Sequence, residues 1–107
     1  MTTAVFSDKM SEPMSKKHSP FNIEVGKRLK ALRRTLEFKT LSAFARNLSV
    51  HEDTYRAWEI GDNCVPPEWA IVIANRCDVT TDWLYRGDHG ALKHDLALKL
   101  IKAAKAG

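Results

Sequence analysis

From Phe21 onward, apolar residues recur at helical spacing. Phe21, Val25, Leu29, Leu32 and Leu36 form one stripe, while Lys27, Arg28, Lys30, Arg33 and Arg34 take the other faces. Ser19-Pro20 just ahead has the form of a helix start, with Ser at the N-cap and Pro where a missing N–H does no harm. Thr40 is placed to cap a second, shorter helix over about 41–48, with Leu41, Phe44, Ala45 and Leu48 on one side. Ser49-Val50 interrupts that pattern. A third helix over about 52–60 begins at His51 or Asp53, carries Tyr55 and Trp58 three apart with Glu59 beside them, and ends at Gly61-Asp62-Asn63.

Val65-Pro66-Pro67-Glu68 opens a fourth helix whose run from Trp69 to Ala74 is apolar nearly all round, so it is expected to be central or to bury a second face against a partner. Thr80 or Thr81 with Asp82 opens a fifth, carrying Trp83 and Leu84 and closed by Gly87. Residues 91–105 read as a sixth, with Leu92, Leu96, Leu100 and Ile101 on one stripe and lysines around it. That stripe either packs back on its own domain or makes a two-fold contact. Nothing reads as strand, so short connections between helices predict an all-α bundle.

Composition narrows the class. A chain of 107 residues, 44% hydrophobic and 28% charged, suits one ordinary domain and excludes two. Trp69 to Ala74 is the longest apolar run, far short of a membrane span, and no membrane partner is expected. Asp8, Lys9, Glu12, Lys16 and Lys17 break up the first twenty residues, which excludes a secretory signal and makes a cytoplasmic location the expectation. Residues 1–18 read as a flexible basic tail, 19–88 as the folded domain and 89–107 as a C-terminal helix for packing or dimerisation. Cys64 and Cys77 form no CxxC pair and have no His at metal spacing, so both read as packing residues. His18, His51, His89 and His94 are dispersed, and no nucleophile set or phosphate-binding glycine loop is present, so no metal, no cofactor and no enzymatic activity are expected. Arg86-Gly87-Asp88 spells an adhesion tripeptide but falls where a helix ends and needs a glycine.

Net charge is +4, unevenly spread. Residues 1–39 hold nine Lys/Arg against four Asp/Glu and residues 89–107 hold four against one, whereas residues 40–88 hold four against eight. Basic ends suit a polyanion, and the acidic middle does not.

Two short helices joined by a tight turn are the elements of a helix-turn-helix. Ala45-Arg46-Asn47-Leu48-Ser49-Val50, Tyr55-Arg56-Ala57-Trp58-Glu59-Ile60-Gly61, Val65-Pro66-Pro67 and Val79-Thr80-Thr81-Asp82-Trp83-Leu84-Tyr85-Arg86-Gly87 occur in that order. Together they resemble the lambda-repressor-like helix-turn-helix family of phage repressors, Cro proteins and bacterial XRE-type regulators, over about residues 20–87. The resemblance implies a five-helix DNA-binding domain, here with an extra C-terminal amphipathic helix, acting as a homodimer on double-stranded DNA. Transcriptional regulation of phage or prophage type is the implied function.

In such a motif Phe44, Ala45, Leu48, Val50, Tyr55 and Trp58 are structural, with Ala45 small because the two helices cross there. Glu59 resembles the family glutamate that pairs with a first-helix arginine, here Arg33 or Arg34. The third helix then presents His51, Glu52, Asp53, Thr54, Arg56 and Ala57 to the major groove. Arg56 suits guanine or phosphate, Thr54 suits phosphate, and Glu52 or Asp53 accepts only from cytosine N4. Amides near Thr40 and Leu41 are the expected phosphate clamp, with Lys39, Ser42 and Arg46 adding to it. Three features depart from the family pattern: Leu41 stands where it usually has Gln, Glu52-Asp53 where it prefers small polar residues or Gln and Arg, and Ser49 where it has the usual turn glycine. The acidic middle and apolar fourth helix also suit a second reading, a helix-turn-helix scaffold serving as a protein-interaction or anti-repressor module. Nothing reads as a sensor domain, so control by abundance or by a protein partner is the expectation.

Overall fold

The starts predicted for the first five helices each have a capping group or a proline in place. The structure is a computed structural model and describes residues 18–106. Among these residues there are six helices and no strand: α1 (Pro20–Thr35), α2 (Leu41–Leu48), α3 (Glu52–Ile60), α4 (Pro67–Cys77), α5 (Thr81–Arg86) and α6 (His94–Ala106). Ser19, Thr40 and Thr80 accept from the amides of Asn22, Ala43 and Trp83, each cap worth about 1 kcal/mol. Gly61 and Gly87 close α3 and α5 in the left-handed conformation. The tail predicted for residues 1–18 lies outside the described residues except for His18, whose amide donates to the Gly61 carbonyl at 2.7 Å.

The α1 stripe predicted from spacing is the hub of the bundle. Val25, Leu29 and Leu32 are buried, and α1 packs against α3, α5 and α6, while α2 packs on α3 and α4 on α5. Gly26 is where α3 comes closest: a Cβ there would lie within 3.0 Å of the Trp58 and Glu59 carbonyl oxygens. The core joins these residues to Phe44, Leu48, Tyr55, Trp58, Ile73, Trp83 and Leu84. Leu100 of α6 belongs to the same core, so α6 packs back on the bundle.

One expectation needs correction, and of the two alternatives for the fourth helix the central one falls away. Residues 91–93 are not helical, because Leu92 donates to the His89 carbonyl in a turn and α6 starts at His94. Leu92 still packs against the core, and this inward position mimicked helical spacing. Nor is α4 central: Ala70, Ile73, Ala74 and Cys77 face inward, leaving Ile71 54% and Val72 38% exposed. Among the described residues no helix is long and apolar enough to cross a membrane.

Candidate nucleic-acid interface

The pair α2 and α3 is joined by a tight turn whose conformation is set by one residue. Ser49 adopts φ 63°, the left-handed region, where a non-glycine residue costs roughly 1 kcal/mol. Its amide donates to Arg46 and that of Val50 to Ala45, both at 3.0 Å, which reverses the chain into α3. Ala45 is buried at the crossing, and Phe44 meets the Tyr55 ring edge-on at 5.5 Å. Arg76 of α4 donates to the Asn47 carbonyl, tying the end of α2 to the neighbouring helix.

Behind the pair lies a buried charge cluster. Arg33 Nε and Nη2 donate to the two Glu59 oxygens at 2.8 and 3.2 Å, and Nη1 donates to the Phe38 and Lys39 carbonyls. The Tyr55 hydroxyl donates to Glu59 Oε2 at 2.7 Å. Of the two candidate arginines, Arg33 is therefore the partner. It follows Leu29 by four residues and so shares its buried side, whereas Arg34 is exposed. The hydrogen bond to Glu59 raises the Arg33 pKa, and burial holds the Tyr55 hydroxyl in its neutral form. This cluster fixes α3 against α1 and the α1–α2 connection.

The outward face of α3 is polar except at its end, where Ile60 is 51% exposed. His51, Asp53, Thr54 and Arg56 are exposed, and Glu52 and Ala57 are partly so. His51 Nδ1 accepts from the Asp53 amide at 3.2 Å and caps the helix, which leaves Nε2 as the donor. Arg56 is engaged within its own helix: Nη2 donates to Glu52 at 2.6 Å and Nη1 to Asp53 at 3.1 Å. Glu52 also accepts from the Ser42 hydroxyl, and these bonds, with Arg46 nearby, hold its carboxyl below the usual range. The acidic pair is thus partly neutralised from within, by an arginine that would otherwise face solvent alone. Ser42 is a tether between α2 and α3 as well as a candidate phosphate contact.

Lys39, Thr40 and Arg46 are exposed beside the α2 N-terminus, where the Thr40 hydroxyl serves Ala43. The preceding amides of the first turn have no intrahelical acceptor. Leu41 is half-buried and packs against the core instead of extending outward. The structure therefore brings all ten predicted contact residues to α2, α3 and their leading edges. Sequence reasoning did not find the Ser42–Glu52–Arg56 chain, although Glu52 and Arg56 stand at the i, i+4 spacing of a helical ion pair. Comparison with protein-family models, curated proteins and solved structures gives no match for this chain.

Proposed function

We propose that the chain is a lambda-repressor-like helix-turn-helix regulator that binds double-stranded DNA as a homodimer, with α3 in the major groove. One observation carries this reading: two short helices joined through left-handed Ser49 are held by the Arg33–Glu59–Tyr55 cluster with a polar outward face on α3. The first-turn amides of α2, with Lys39 and Arg46 beside them, take phosphate oxygens. Arg56 leaves its two carboxylates for a guanine or a phosphate. Two copies of α3 then sit about 34–36 Å apart along one face of the duplex.

The test is selection of a preferred duplex by the wild-type protein, followed by affinity measurements on Arg56→Ala. The substitution is expected to cost about 1–3 kcal/mol of discrimination between the selected and a scrambled duplex. Unchanged affinity and preference would remove α3 as the reading element. The hold of Glu52 and Asp53 on Arg56, together with exposed Ile60, Ile71 and Val72, favours the second reading, a protein-interaction module. Under that reading DNA binding is weak or absent.

A further inference from the structure

On the side of the bundle formed by α1, the end of α5 and α6 there is a cavity of about 600 Å³, and no residue of α2 or α3 lines it. Lys27, Arg28, Lys30, Arg34, Arg86 and Lys105 surround it, against the single carboxylate of Glu24, which is itself 3.5 Å from Lys27 Nζ. Exposed His89 also lines it, and the rest of its walls is mainly apolar: Ala31, Trp83 and Leu100 lie beneath, and Ile101 and Ala104 open to solvent.

Arg28 is partly buried here, as is Lys30, and it is the one held by a hydrogen bond to the backbone. Its Nη1 donates to the Leu84 carbonyl at 3.0 Å, and Gly87 lies so close that a Cβ there would stand 3.0 Å from Nη2. Among the described residues Arg28 makes no ion pair, and burial lowers its pKa. A partly desolvated guanidinium that a carbonyl serves directly, and the Glu24 carboxylate only through space, is stabilised by an anion arriving from outside. The volume falls in the range of small-molecule sites, about 300–1,000 Å³, and is small for a helical peptide, which is about 10–12 Å across.

We propose that this groove binds a small anionic amphiphile, a carboxylate head on an unbranched apolar chain, with the head on Arg28 and the chain along Ile101 and Ala104. The charge complementarity is six cations to one acid. The cationic stems also supply apolar surface to the chain.

Decanoate tests the proposal when titrated into the full-length protein below its micellar concentration, followed by backbone amide shifts, with decanol as the neutral control. Saturable decanoate binding is expected, with shifts gathered on α1, the end of α5 and α6, and an affinity roughly tenfold or more above that of decanol. Arg28→Gln should weaken decanoate binding roughly tenfold. Arg28 also serves the Leu84 carbonyl, so Ala104→Trp, at an exposed position, is the second variant: it fills the groove and is expected to abolish binding with helix content unchanged. Absence of saturation, shifts centred on α2 and α3, equal affinity for decanol, or undiminished decanoate binding by Ala104→Trp would overturn the proposal. The result is independent of whether the protein binds duplex DNA.

Discussion

Arg33, Glu59 and Tyr55 show how much one buried polar cluster decides in a small bundle. The Arg33 and Glu59 side chains are 10% and 6% exposed, so each depends on the other to offset the loss of water. Removing one partner leaves a buried charge uncompensated. Arg33→Met is therefore expected to destabilise the fold by about 3–5 kcal/mol in chemical denaturation, while Arg34→Met at the neighbouring exposed position should change it by under about 0.5 kcal/mol. Equal effects of the two would show that the cluster does not hold α3. Cys77 gives a second prediction at this scale. Burial raises its thiol from 9.0 to about 11, so the folded state keeps the proton that the unfolded chain releases. The corresponding stability is fully present below pH 9.0 and lost as pH rises towards about 11, of the order of 2 kcal/mol. Comparing the alkaline stability profile of Cys77→Ala with that of the wild type measures it: the decline over this window should be smaller in the variant.

Helices α1 and α3 meet at Gly26, and here the helix's own preference and its packing disagree. Alanine is the better helix former by about 1 kcal/mol. Its Cβ would nevertheless press on two carbonyl oxygens of α3, and backbone cannot yield as a flexible side chain can. Gly26→Ala is expected to lower stability by about 1–3 kcal/mol in thermal denaturation. A rise in melting temperature would mean that α1 and α3 are further apart than described. Local signals made most of the elements legible: Ser19, Thr40, Thr80, Gly61 and Gly87 act within three or four residues of where they stand, so their effect is written in adjacent sequence. The start of α6 was not legible, because Leu92 packs inward from a turn and its spacing to Leu96 looks helical. The position of α4 was obscured by Ile71 and Val72, apolar residues on a face that the single chain leaves exposed. At the interface, the set of outward residues on α3 followed from placing Tyr55 and Trp58 inward. Arg56's engagement depended on rotamers that spacing permits but does not require.

At the scale of the whole molecule, the two sides of the bundle differ in charge and in shape. On the α2–α3 side Arg56 is shared with two carboxylates, whereas the α1–α6 side holds a cationic groove. That groove was invisible in the sequence because Arg28 is held there by the Leu84 carbonyl, 56 residues away. The lysines and arginines of α1 take the faces away from its apolar stripe, and α6 packs alongside some of them to form the groove. The central claim concerns the opposite side. Fluorescence anisotropy of the purified protein with mixed-sequence duplex DNA, titrated from low to moderate salt, tests it most directly. Binding is expected with a logarithmic salt slope of about 0.9 per phosphate contact, corresponding to several contacts from the α2 N-terminus and the flanking cations. Absence of binding at low salt would contradict the assignment of α2 and α3 to DNA.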